Sequence, residues 1–239
     1  IGDPTDKDTA RRHLSLEDIG DNIKGWEKQA RAVLDFENKE NPAKILKNSE
    51  WLAGLTLKKV IEIVSTMTVQ QMLERDMFAK RIEERKPIYL HEFLYPLMQG
   101  YDSVAMNVTA EVGGNDQLFN MFVGRELQKR YNNTEKFVIA TTLLEDPRTG
   151  KKLMSKSEGS YIAISDTPNE MYGKAMALPD EAVIQCLIDC TFMPMEEVRA
   201  SEDALAAGAN PRDIKMKLAR ELVKTYHNET AAMEAEGIT

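Results

Sequence analysis

Cysteine, tryptophan and histidine are scarce in this 239-residue chain, at two, two and three residues. Cys186 and Cys190 are too few for a disulfide framework. Four apart in a helix-like stretch, they share one face. With no other cysteine or histidine nearby in sequence they make a poor metal site, and they read as two small, reduced core residues of a cytoplasmic protein. His13, His91 and His227 are scattered and suggest no metal cluster. No apolar run approaches membrane-spanning length, and no leader peptide, internal repeat or low-complexity segment is visible. Positive charge is also short: 31 Lys and Arg face 39 Asp and Glu, for a net charge of −8. That argues against broad electrostatic binding to nucleic acid, DNA included, and leaves room for a local basic strip that guides one RNA. The chain opens on Ile1-Gly2-Asp3-Pro4 and not on Met, which reads like the middle of a longer protein, so a fragment is expected.

What is present is enough for one sizeable domain with a core and an appendage: 42% of residues are hydrophobic and 29% charged. Ser15 and Asp18 predict a capped helix start, and Ile19, Ile23, Trp26, Ala30 and Val33 extend an apolar stripe to about residue 36. Residues 44–51 read as extended. Thr56 predicts a cap for a helix to about Ser65, and 68–84 predicts further helix broken near Asp76. Met67, Met72, Met77 and Phe78 there serve either a core or a partner subunit. A long helix is predicted over 91–107, a short strand at 110–114, a helix over 115–131, a buried strand at 137–142 and a further strand at 161–164. From Thr167 onward Pro168, Pro179, Pro194 and Pro211 punctuate a helical region into four segments. A boundary is therefore expected near residue 166, between an α/β part (1–166) and a helical part (167–239).

Two regions carry candidate chemistry. The loop at 148–159 has Gly150 and Gly159 at its ends and four cations, Arg148, Lys151, Lys152 and Lys156, around Met154-Ser155-Lys156-Ser157. Lysines on such a loop can meet a triphosphate; a solvated basic loop is the plain alternative. In the second region Tyr95, Gln99 and Asp102 follow i, i+4, i+7 spacing and point to one side of a helix. They form either a polar core network or a grip on a small polar ligand. Gly113, Gly114, Asp116 and Gln117 then lie at a strand–turn–helix junction of the kind that brings backbone close to a nucleotide, though the pattern alone is commonly just a turn.

Together these residues resemble the bacterial tyrosyl-tRNA synthetase family, a class I aminoacyl-tRNA synthetase: residues 93–131 and 148–164, the opening Ile1-Gly2-Asp3-Pro4, and Asn48-Ser49-Glu50-Trp51 match it in order. The resemblance implies an α/β fold, a partial Rossmann-like catalytic domain with a helical insertion at about 36–100, followed by an α-helical domain. It implies a homodimer with the methionine-rich helices at or near the interface, L-tyrosine and ATP as substrates, Mg²⁺ with the ATP phosphates, and tRNA(Tyr) as the acceptor. Carried over residue by residue, Asp102 accepts the phenolic hydroxyl of tyrosine. Asp3, Tyr95 and Gln99 hold its ammonium, Gln117 lies near its carboxylate, and Asn48 and Trp51 support the pocket. Gly114 and Asp116 contact the ATP ribose. Lys7, Arg11 and Lys156, with Lys152 and the neighbouring Met154, Ser155 and Ser157, meet the phosphates. Lys215, Lys217, Arg220 and Lys224 form either a tRNA-facing strip or ordinary solvated helix charge.

The chain departs from the family in places. Leu153 occupies the position of the first loop lysine, Asp6 stands where relatives commonly have Gly, and Glu111 replaces a Gln found in some relatives. The H-I-G-H signature, an upstream Tyr that shares the phenol contact, and the anticodon-reading module are absent, so the chain on its own is expected not to form tyrosyl-adenylate. The competing readings are a tryptophanyl-tRNA synthetase-like enzyme and a non-catalytic paralogue that binds RNA or protein.

Overall fold

A computed structural model describes residues 15–146, 148–150, 152–153 and 161–237. Among these the chain divides into two compact units, 15–21 with 45–143 and 22–44 with 144–237. The division falls at 143/144, ahead of the residue 166 suggested by the proline pattern. The cause is apolar: Leu144, Leu153 and Ile162 pack into the core of the second unit.

Helix α1 (Leu16–Ile23) starts as predicted. Asp18 N donates to Ser15 Oγ at 3.1 Å and Ser15 N donates back to Asp18 Oδ2 at 3.0 Å. The stripe does not continue as one helix. The chain turns at Lys24-Gly25 into a separate α2 (Trp26–Ala30), and Ile19, Trp26 and Val33 are exposed, so no apolar face is buried there.

In the first unit α3 (Ser49–Leu52) takes over the last three residues of the 44–51 stretch expected to be extended, with Leu52 N donating to the carbonyl of Asn48 at 2.8 Å. Thr56 caps α4 (Leu57–Val64), and Thr68 opens α5 (Val69–Leu73) with a capping box completed by Gln71. The expected break near Asp76 separates α5 from α6 (Asp76–Glu83). Helix α7 (Leu90–Met106) runs through Pro96 and ends on a left-handed Asn107. A βαβ unit follows. Strand β1 (Ala110–Gly114) leads through a short 3₁₀ turn (Asn115–Gln117) into α8 (Leu118–Asn132), and β2 (Phe137–Thr141) returns parallel to β1, with Glu111 opposite Val138. Strand β2 is not buried as expected: Phe137 is 72% exposed, because β1 is its one strand neighbour among the described residues.

Ile63, Met72, Leu97, Val123 and Leu127 form the apolar core of this unit, so the methionine stripe contributes Met72 inward. Helices α7 and α8 approach closely at Gly100, where a Cβ would sit 2.9 Å from Leu127 Cδ1 and 3.1 Å from the Gly124 nitrogen. Alongside the apolar core lies a buried ion pair: both Nη atoms of Arg81 reach the Glu92 carboxylate at 2.6–2.8 Å, and Glu92 also accepts from Tyr89 N at 2.8 Å.

The second unit is helical: α9 (Pro168–Met176), α10 (Val183–Cys190), α11 (Met195–Ala206), α12 (Pro211–Tyr226) and α13 (Glu229–Gly237). Residues 161–164 form no strand. Five helices appear where four prolines suggested four, because the last break is made at His227-Asn228, where Asn228 Oδ1 accepts from Ala231 N at 2.8 Å. Tyr172, Leu187, Leu218 and Val223 lie in a continuous core with Cys186, whose thiol is pushed up by its contact with Cys190 and by burial. Among the described residues no helix is long and apolar enough to cross a membrane.

Candidate active site

Helices α3 and α7 bring Asn48, Tyr95, Gln99 and Asp102 around one cleft of about 490 Å³, which Leu52, Ala53 and Met98 also line. The i, i+4, i+7 spacing of the α7 residues puts all three on the wall of this cleft. Asp102 is half-buried and anchored at both oxygens. Trp51 Nε1 donates to Oδ1 at 2.7 Å and Asn48 Nδ2 to Oδ2 at 3.2 Å. Burial raises its carboxyl above the usual range, the Trp51 and Asn48 donors pull it back, and the nearby Glu111 charge raises it further. Each carboxylate oxygen keeps acceptor capacity beyond one bond, so a hydroxyl entering the cleft finds a fixed, polarised acceptor.

Behind the cleft wall lies a network that sequence reasoning missed. Gln99 Nε2 donates to Glu111 Oε1 at 3.4 Å, and Glu111 Oε2 pairs with Lys136 Nζ. Lys136 also reaches Ser103 Oγ at 2.6 Å, and its side chain is fully buried. The available signal was a lone acid near the start of one strand and a lone lysine just before the next; the parallel register sets Glu111 opposite Val138, two residues past Lys136.

At the strand–turn–helix junction Gly114 meets a steric demand, since a Cβ there would sit 2.7 Å from Asp116 Oδ1. Asn120, fully buried on α8, donates from Nδ2 to Gln117 Oε1 at 2.9 Å, so the carbonyl end of Gln117 is held against the helix. Asn120 too went unread, since its pattern is that of any polar helix residue.

Asp3, predicted to meet the tyrosine ammonium, and Lys7, Arg11, Met154, Ser155, Lys156 and Ser157 of the predicted phosphate contacts lie outside the described residues. The start of the loop is described. Gly150 takes φ +64°, its N–H donating to the Asp146 carbonyl at 2.8 Å. Lys152 pairs with Glu145 in an antiparallel bridge, and Leu153 N donates to the Leu144 carbonyl at 2.8 Å. Leu153 is 8% exposed, seated in the core of the helical unit, where a lysine would bring an uncompensated charge. Arg148 is turned toward Asp146 at 3.2 Å and Glu181 at 3.5 Å, and it holds the Asp146 carboxyl below its usual range. In the helical unit Lys215 pairs with Asp180, Arg220 with Glu229 and Glu236, and Lys224 with Glu221 and Glu229, which is the pattern of helix-surface ion pairs.

Comparison with known proteins bears on the whole chain. A tyrosine–tRNA ligase from Moorella thermoacetica is 46% identical over 99% of this chain and 56% of its own length, and one from Carboxydothermus hydrogenoformans matches equally well. The chain thus spans about half the length of the curated relatives it matches. Among solved structures, a truncated mitochondrial tyrosyl-tRNA synthetase of Aspergillus nidulans shares the fold, with a TM-score of 0.75 at 21% identity over 99% of this chain and 72% of that one. The tyrosyl-tRNA synthetase of Archaeoglobus fulgidus complexed with L-tyrosine gives 0.65 at 21% identity, over 94% and 75%. The family described as tRNA synthetases class I (W and Y) matches residues 1–239, and the chain belongs to it.

Proposed function

We propose that the chain is the tyrosine-selecting part of a tyrosine–tRNA ligase, which joins L-tyrosine to ATP as tyrosyl-adenylate and passes the tyrosyl group to the terminal adenosine of tRNA(Tyr). The observation that carries this reading is Asp102, a carboxylate held at both oxygens by Trp51 and Asn48 on the wall of an amino-acid-sized cleft. The names of the 43–46% identical relatives point to the same amino acid within a family that handles both W and Y.

In this reading the phenolic O–H of tyrosine donates to Asp102, and Gln99 and Tyr95, with Asp3, meet the ammonium. The tyrosine carboxylate oxygen then attacks the α-phosphorus of ATP, and the bond to pyrophosphate breaks. Little covalent work falls to the protein, so its contribution is alignment and charge stabilisation. Asp116 and Gly114 face the ribose. Lys156, Lys152, Lys7 and Arg11 take up the charge that develops on the leaving pyrophosphate, and Mg²⁺ enters with the ATP phosphates as part of the substrate.

A homodimer fits one surface of the first unit. Val64, Val69, Leu90 and Leu94 border an apolar groove of about 360 Å³ above Met67 and Met72, and Leu90 is 83% exposed. Sedimentation that finds only monomer at micromolar concentration would remove this part of the proposal. For the main reading the test is calorimetric titration of the chain with L-tyrosine and L-phenylalanine. Tyrosine should bind, with phenylalanine at least about tenfold weaker, because phenylalanine leaves a desolvated carboxylate unpaired. Equal affinities would refute it.

A further inference from the structure

We propose that Lys136 is a positioning residue for substrate binding: its buried ammonium fixes the Glu111 carboxylate, which in turn holds the Gln99 amide with its carbonyl oxygen toward the cleft. The inference rests on the tyrosine reading and assigns the end of Gln99 that meets the substrate ammonium.

An amide side chain is ambiguous, with a donor and an acceptor of nearly equal size. Gln99, left to itself in the cleft, has no reason to offer its oxygen rather than its nitrogen. An ionised Glu111 removes the choice, because a carboxylate only accepts. The amide nitrogen must face Glu111, as it does at 3.4 Å, and the carbonyl oxygen is then directed away from it, toward the cleft that Gln99 lines. An ammonium group carries only donors, so an acceptor is the end it needs.

A carboxylate at 111 serves as a pure acceptor, and its charge lies close enough to Asp102 to raise that carboxyl. Lys136 supplies the countercharge from the side away from the cleft. Its Nζ pairs with Glu111 Oε2 and with Ser103 Oγ at 2.6 Å, and Ser103 Oγ itself approaches Glu111 Oε2 at 3.4 Å. The space for this is built into α8. A Cβ on Gly124 would collide with Lys136 Nζ and stand 2.8 Å from Ser103 Oγ, so the helix leaves a slot where the ammonium sits. A fully buried lysine with one carboxylate partner among the described residues is costly to place, and its position one contact behind a substrate-binding amide gives it a use.

A purely structural ion pair and a positioning device make different predictions for ligands that differ only in the ammonium. Dissociation constants for L-tyrosine, tyramine (ammonium, no carboxylate) and 3-(4-hydroxyphenyl)propionate (carboxylate, no ammonium) are measured for the chain and for Lys136→Met, Glu111→Gln and the double variant. Circular dichroism checks that each is folded. We expect Lys136→Met and Glu111→Gln to weaken tyrosine and tyramine by about tenfold. The propionate should change by less than about twofold, since it never meets the Gln99 oxygen. The double variant should regain thermal stability but not ammonium-ligand affinity, because a Gln at 111 accepts or donates and leaves Gln99 unfixed. Should Lys136→Met fail to fold, the nearly isosteric Glu111→Gln carries the comparison. Equal loss for all three ligands, or recovery of tyrosine affinity in the double variant, would overturn the proposal while leaving the tyrosine reading intact. Absence of binding by all three phenols to the unaltered chain would remove the tyrosine reading and this inference together.

Discussion

The two units fill their interiors differently. In the helical unit 17 hydrophobic residues form one continuous buried cluster, while Asp146 and Ser201 are its buried polar residues among those described. In the unit that carries the cleft the apolar cluster has five members, and Arg75, Arg81, Glu92, Ser103, Asn120, Gln128 and Lys136 are buried with it. Apolar packing is non-directional and yields stability in proportion to area, whereas buried polar groups demand partners at set distances. The first unit therefore holds side chains in fixed orientations, and the second provides a scaffold. Leu153 shows the contrast at the edge of the basic loop: where the resemblance leads one to expect a lysine, this chain has an anchor in the helical core.

That contrast can be broken in graded steps. The largest effect expected is on stability alone. Leu218→Ala in the helical core should cost about 2–5 kcal/mol, read from denaturant unfolding, with tyrosine affinity unchanged under conditions where the protein stays folded. Gly124→Ala should cost less, about 1–3 kcal/mol, but should also weaken tyrosine binding, because the new methyl displaces Lys136 and Ser103. An affinity loss from the first substitution, or none from the second, would erase the distinction between scaffold and site. Trp51→Phe removes the 2.7 Å donor to Asp102 and should weaken tyrosine by roughly tenfold in titration calorimetry, with a small effect on unfolding.

The two regions should also answer pH in opposite senses. Burial raises Asp102 in the folded state, so folding is opposed while it is ionised and relieved as pH falls through its raised value. Tyrosine affinity is lost over the same interval, beginning at higher pH than for an ordinary carboxylate, and Trp51→Phe moves that interval upward. Glu229 is held low by Arg220, so its contribution is present above the unfolded value and is lost as pH falls through the lowered folded one. Smallest of all, Arg220→Ala should shift the thermal midpoint by less than about 2 °C, since the pair is exposed to solvent.

How much of this was legible depends on how local the cause is. The caps at Ser15, Thr56, Thr68 and Thr167 are decided within four residues of chain, and the helices they open were readable. Helix α13 was missed although its cap is equally local, since Asn228 Oδ1 accepts from Ala231 N and no proline marks the break there. The common face of Tyr95, Gln99 and Asp102 follows from helical period alone. Lys136 and Glu111 could not be paired from spacing, being 25 residues apart and brought together by tertiary packing next to the β1–β2 pair. No strand forms at 161–164, where Ile162 packs against the helical core while Ile164 is exposed, a placement set by residues distant in sequence.

The most direct test of the account is the ratio of tyrosine to phenylalanine affinity in the chain and in Asp102→Asn, measured by titration calorimetry on the same preparation. The account predicts a clear preference for tyrosine in the unaltered chain, reduced by at least about tenfold in the variant through loss of tyrosine binding. A ratio that Asp102→Asn leaves unchanged would contradict it.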